Sequence, residues 1–216
     1  EGRAGEALLD AVAVMDRLRS AGGCPWDREQ AHVSLLRYLV EECYELLQAI
    51  EDGDPAATRE ELGDVLLQVL FHSRIAAETP AAEGGFTIDD VAAGLVEKLV
   101  RRHPYVFGTD EEREQVTASE QQVRWDELKK AEHAAPSPMD GVALAQPAVA
   151  LAGKLGSRSA KYGVTDVPLP QGDSVGEQLF RLAFAAGARG EDPEQALRSV
   201  ARDYAARLAA LSEDPA

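Results

Sequence analysis

Aromatic residues are scarce, 6% of the 216 residues, and runs of alternating Val, Thr and Ile are missing. The period-two pattern of half-buried strands therefore has little to rest on. Cysteine is limited to Cys24 and Cys43, which excludes a disulfide framework and reads as two ordinary cytosolic thiols. No unbroken apolar run reaches the roughly 18 residues that a membrane span needs, and no basic-then-apolar segment opens the chain. The expected setting is the cytoplasm, with no membrane partner. The start at Glu1 rather than Met leaves open an upstream segment absent from this chain. Positive charge is also short: 22 Lys and Arg face 38 Asp and Glu, for a formal net charge of −16. A phosphate backbone needs a basic face, so direct nucleic-acid binding is not expected, and the acidity points instead to cations. What the chain does have is 45% hydrophobic residues, enough to fold despite its charge, and a length for one large domain or two small ones.

The apolar residues recur at helical spacing, which predicts an all-α antiparallel helical bundle. A first helix is expected over about Glu6–Ser20, followed by a loop at Cys24-Pro25-Trp26-Asp27. A second, about Val33–Ile50, carries a stripe at Leu36, Leu39, Val40, Cys43, Leu46, Leu47 and Ile50. Asp54 as N-cap and Pro55 as first helical residue restart a third helix to about Glu78. Thr87 with Asp90 resembles a capping box for a fourth helix that stops near His103, because Pro104 disfavours helix before it. Thr117 and Glu120 open a fifth through Trp125 to about Glu132. A Pro- and Ala-rich linker, 134–141, separates a first domain, 1–133, from a second, 142–216. The second is expected to hold helices near Leu144–Lys161, Asp173–Ala188 and Pro193–Leu211, and it echoes the first. Val175-Gly176-Glu177 aligns with Leu62-Gly63-Asp64, but Ser174 stands against Glu61 and Asp203 against Lys98, so the copy is degenerate.

The chemistry is concentrated in carboxylates. Glu41, Glu42 and Glu45 lie within an arc of about 100° on the second helix, and Glu61 and Asp64 within about 60° on the third. An antiparallel hairpin about Gly53 sets Glu42 level with Asp64 and Glu45 level with Glu61, two rungs about 4.5 Å apart. Four acids in so small a patch persist only if protons or hard divalent cations neutralise them. Magnesium or manganese fits better than zinc or iron, since there are no Cys/His ligand pairs at zinc spacing and the Glu-x-x-His pairs of di-iron bundles are absent from these two helices. Downstream, Lys98 and Arg102 are i, i+4 with Arg101 beside them, and Trp125 and Lys129 repeat that spacing. Such cations suit the oxygens of a polyphosphate, and a Trp face suits a base; basic residues in a last turn also simply complement the helix dipole. Trp26 reads equally as the wall of a base pocket or as a core plug, while His72 and His103 read as structural.

With these residues assembled, the chain resembles the MazG family of nucleoside triphosphate pyrophosphohydrolases. The likeness rests on Glu41-Glu42-Cys43-Tyr44-Glu45 followed by Glu61-Leu62-Gly63-Asp64, and extends through Cys24-Pro25-Trp26-Asp27, Leu66–Phe71, Lys98–Val106 and Trp125–Lys129. It implies an all-α dimer that cleaves nucleoside triphosphates between the α and β phosphates to a monophosphate and pyrophosphate. It further implies that Glu42, Glu45, Glu61 and Asp64 bind Mg²⁺, with Mn²⁺ as a substitute. Lys98, Arg102, Lys129 and Arg101 would hold the triphosphate, and Trp125 would lie at the base or ribose. Glu41, the spare carboxylate, is the candidate either for orienting or deprotonating the attacking water or for supporting the metal ligands from behind. Many members carry two repeats; here the second lacks the acidic helix, so the active site is placed in the first and the second is expected to serve packing or dimerisation. The contrasting expectation is a non-catalytic helical dimer that binds nucleotides or a protein.

Overall fold

The computed structural model describes residues 5–108, 117 and 137–212. Among these residues there are nine α-helices, one 3₁₀ turn and no strand, so the chain is all-α. It divides into two compact units, Glu1–Gln121 and Gln122–Ala216.

In the first unit, α1 (Glu6–Arg19) leads to α2 (Pro25–Glu29), α3 (His32–Glu51) and α4 (Pro55–Ala76). The Cys24–Asp27 segment expected as a loop is instead the start of α2, because Pro25 occupies a first helical position, where its missing N–H is no loss. Helices α3 and α4 form a tight antiparallel hairpin. Gly53 takes the left-handed conformation at φ +66° that the turn requires, and the Asp54 carboxylate accepts from the backbone N–H groups of Ala56 and Ala57 at 2.9 and 3.1 Å. Helix α5 (Ile88–Arg102) opens with the Thr87–Asp90 capping box and stops at Arg102. The chain then turns at His103 into α6 (Pro104–Phe107), a short helix that the proline starts as well as the previous one ends. Thr117 apart, the fifth helix expected over 117–132 lies outside the described residues, and so do Trp125 and Lys129.

Met15, Leu35, Leu70 and Phe71 form the core of this unit, where α1, α3 and α4 meet. Beside it Arg19 is buried to 7% exposure. Its guanidinium donates to both Glu78 oxygens at 2.9 and 2.8 Å and to the carbonyls of Asp27 and Gln30, and lies 5.6 Å from the centre of the Phe71 ring. One charged side chain thus ties α1, α2 and the end of α4 together, with Arg74 completing the link to Asp16 at 2.7 Å. The Glu78 carboxyl is held below the ordinary carboxylate range, chiefly by its hydrogen bonds from Arg19.

The second unit contains α7 (Ala148–Tyr162), α8 (Val175–Ala188) and α9 (Pro193–Ser212). Helix α7 begins four residues later than Leu144, since Pro147 serves as its N-cap. Of the 134–141 stretch, residues 137–141 are described, and they form a turn in which the Ser137 N–H donates to Asp140 at 2.8 Å while Arg158 reaches the Asp140 carbonyl. Helices α7 and α8 pack backbone against backbone through Ala152, Gly153, Gly156, Ala183 and Gly187, all buried. A Cβ on Gly187 would stand 1.9 Å from the Gly153 carbonyl oxygen, and one on Gly156 2.0 Å from that of Phe184.

Candidate functional site

The buried Leu35 and Ala49 mark the stripe of α3 that faces α4, and Glu42 and Glu45 fall on that stripe between them. On α4, Glu61 and Asp64 share a stripe with the buried Gln68. The hairpin therefore brings the acids together: one oxygen from each of Glu42, Glu45 and Glu61 lies within 4.8 Å of the others. Asp64 is outside that trio but acts on it. Glu42 is pushed above the ordinary carboxylate range by burial first and then by the charges of Asp64 and Glu45. Glu61 is pushed up by lost solvation, then by Glu45 and Asp64. The largest single charge effect on Glu42 comes from Asp64 and that on Glu61 from Glu45, the two pairs that the hairpin register sets level, and Glu45 also hydrogen-bonds Glu42.

Glu41 points elsewhere. It is exposed and lines an open cleft of about 520 Å³ together with Tyr44, Glu45, Gln48, Asp52 and Glu61. Glu45 and Glu61 belong to both the cleft and the acidic trio, so Glu41 views the same charge from its solvent side.

Among the described residues, no basic side chain is among the charges that act on Glu42 or Glu61. Lys98 is exposed on α5, Arg101 pairs with Glu97 at 3.8 Å, and Arg102 is half-buried in the last turn. Trp26 is 49% exposed and packs edge-on against Tyr38 and Phe71, with ring centres 6.0 and 6.3 Å away, so it only partly plugs the core. His72 stacks on His32, their Nδ1 atoms 2.7 Å apart, and is held below its ordinary value by burial and by His32. His103 Nδ1 meets the Leu99 carbonyl at 2.6 Å as a helix terminator. Two residues escaped sequence reasoning. Arg19 reads as an ordinary last-turn cation, and Gln68, buried beside Asp64, is signalled only as a lone amide in an apolar run.

An all-oxygen set with uncompensated negative charge is the donor chemistry of a hard divalent cation. Glu42, Glu45 and Glu61 each offer one oxygen to such an ion, and the Asp64 carboxylate lies close enough to act on Glu42 and Glu61.

The chain is also similar to known proteins. The model of the MazG nucleotide pyrophosphohydrolase domain matches residues 30–107, which include both acidic helices and α5. A nucleoside triphosphate pyrophosphohydrolase of Mycobacterium tuberculosis is 44% identical over 94% of this chain, which spans 58% of that protein. The nucleoside triphosphate pyrophosphohydrolase/pyrophosphatase MazG of Thermotoga maritima is 35% identical over 97% of this chain and 87% of its own length. An uncharacterized 26.1 kDa protein of Streptomyces cacaoi is 50% identical over 93% of this chain and 80% of its own.

Proposed function

Because the chain belongs to the MazG nucleotide pyrophosphohydrolase family, we propose that it hydrolyses nucleoside triphosphates, ribo or deoxy, between the α and β phosphates. The observation that carries this reading is the convergence of the Glu42, Glu45 and Glu61 oxygens within 4.8 Å. Together with Asp64 they hold Mg²⁺, or Mn²⁺ in its place. When bound, the cation neutralises phosphate oxygens and acidifies water.

The remaining roles fall to the chain's own side chains. Glu41, on the cleft that Glu45 and Glu61 also line, orients the attacking water and takes its proton. Water adds at the α phosphorus, the bond to the α–β bridging oxygen breaks, and pyrophosphate leaves. Lys98, Arg101, Arg102 and Lys129 carry the charge of the triphosphate, and Trp125 lies at the base or ribose. Residues 1–133 perform the chemistry, and residues 142–216, with their glycine-lined helix contact, are a packing module.

The working form in this reading is a homodimer. In α5 no residue is buried, and Val91, Leu95, Val96, Leu99 and Val100 are all exposed, as are Leu36 and Val40 on α3. Apolar faces on this scale are covered in stable proteins. No described helix is long and apolar enough to cross a membrane. The free thiols of Cys24 and Cys43 and a nucleotide substrate suit the cytoplasm, where removal of unwanted triphosphates from the nucleotide pool is the fitting role.

The test is release of monophosphate and pyrophosphate from canonical and oxidised triphosphates, with Mg²⁺ and with EDTA. Metal-dependent release of both products, strongly reduced by Asp64→Asn in a folded protein, is expected. Nucleotide-induced stabilisation with no turnover would replace the enzyme by a binding module.

A further inference from the structure

Gln68 is 4% exposed, and its Oε1 is buried with no hydrogen-bond partner. Buried polar atoms are almost always paired, so an orphan in a native fold asks for a missing partner. Its surroundings narrow what that partner is. Gln68 follows Asp64 by four residues, one turn or about 6 Å along α4, on the stripe that carries Glu61. Helical side chains lean toward the N-terminus of their helix, which on α4 is the direction of Asp64. A long amide at this position can therefore reach back toward the carboxylates. The polar side chains in that direction, Asp64 one turn back and Glu42 level with it, carry acceptor oxygens, and the hairpin register sets Tyr38 level with Gln68. His72, the next residue on the stripe, also buries an unpartnered Nε2, but its ring is already engaged through Nδ1 with His32.

An acceptor oxygen beside acceptor oxygens gains nothing from a neutral apolar ligand or from an anion. It gains from a cation, or from water that a cation orients with its hydrogens outward. We propose that Gln68 belongs to the cation site, its Oε1 being the neutral oxygen that steadies the hydrated divalent ion held by Glu42, Glu45, Glu61 and Asp64. This rests on the cation reading above and adds a residue to it. Gln68 is a positioning residue in this scheme, acting through the ion's surroundings and not on the nucleotide.

The experiment is titration of the nucleotide-free full chain with Mn²⁺, followed by electron paramagnetic resonance and by thermal stabilisation, for wild type, Gln68→Met and Gln68→Glu. Met keeps the length and removes the oxygen. Its Mn²⁺ affinity should fall on the order of 10- to 100-fold, while its melting temperature without metal should hold or rise, since the orphan is gone. Glu restores an oxygen and should bind Mn²⁺ at least as tightly as wild type. Wild-type affinity in Gln68→Met overturns the proposal, whether the variant also loses metal-free stability, as a purely structural amide would, or changes its choice of nucleotide, as a base-reading amide would. Failure of the wild type itself to bind Mn²⁺ is the separate result that overturns the cation reading.

Discussion

The two units each contain a helix hairpin, and the hairpins solve the same packing problem in opposite ways. Between α3 and α4 the seam runs from Leu35 and Phe71 into Gln68 and then into carboxylates whose oxygens crowd within 4.8 Å. Between α7 and α8 the seam is glycine and alanine, closed so far that a single Cβ on Gly187 would strike the facing backbone. The aligned acids show the same divergence. Glu61 and Asp64 lie deep in α4, whereas Ser174 is the N-cap of α8 and Glu177 its capping-box partner, accepting from the Ser174 hydroxyl and from the Gly172 N–H at 3.1 Å. Glu177 is accordingly held below its ordinary value, first by Ser174, while Glu61 is pushed above it. A carboxylate that completes a helix start is satisfied by the fold. One that faces other carboxylates is left for a ligand.

The largest effect should come from exchanging the charge at corresponding positions. Asp64→Asn or Glu42→Gln should lower turnover on the order of 10²- to 10³-fold, the scale at which one preorganised electrostatic partner is lost, with the fold retained by circular dichroism. Glu177→Gln should leave turnover at the wild-type level. A collapse of turnover in Glu177→Gln would break the comparison, since it would make the second hairpin catalytic.

Next is the closed seam. Gly187→Ala places its new methyl 1.9 Å from a backbone oxygen that has no free rotamer to yield. It should destabilise the second unit by about 3 kcal/mol, the upper part of the overpacking range, measured by urea unfolding.

The hairpins should also titrate with opposite sign. Glu42 and Glu61 bind protons more tightly folded than unfolded. Their contribution is therefore most favourable below the ordinary carboxylate range and declines as pH rises from there through their raised values. Glu177 binds protons less tightly when folded, so its contribution is full above the ordinary range and is lost as pH falls through its lowered value. In metal-free thermal unfolding, Glu61→Gln should raise the melting temperature at neutral pH and flatten its rise on acidification. Glu177→Gln should lower it at neutral pH and change little in acid. Parallel profiles for the two variants would remove the distinction.

Much of this contrast is legible in the sequence, because its causes are local. Asp54-Pro55, Thr87 with Asp90 and Asp192-Pro193 are short-range cap signals, and all three open helices where they stand. The rungs of Glu42 with Asp64 and Glu45 with Glu61 follow from one turn and one period. What escaped depends on distant partners. Cys24–Asp27 reads as a loop and Pro104 as the stop of a helix, and only the chain path shows Pro25 and Pro104 each beginning a short helix. Arg19 looks like a solvated cation until Glu78, 59 residues on, is brought beside it. Gly153, Gly156 and Gly187 look like weak helix formers until two backbones approach, and Gln68 looks unremarkable until the seam closes around it.

Gly63 separates a glycine that is needed from one that is only present. It lies mid-helix in α4, and a Cβ built on it meets nothing within 4 Å, the opposite of Gly187. In the isolated chain Gly63→Ala should therefore raise stability by about 0.5–1 kcal/mol through helix propensity alone. That gain should appear in urea unfolding at low protein concentration, where any dimer dissociates. If the face of α4 around Gly63 is also free in the proposed homodimer, the gain persists when the protein is concentrated. If a second copy packs its backbone there, the gain shrinks or reverses as concentration rises. The same substitution, weakly favourable at Gly63 and strongly unfavourable at Gly187, would show that the second hairpin requires its glycines for close approach within one chain, and would reveal whether the first requires Gly63 only between chains.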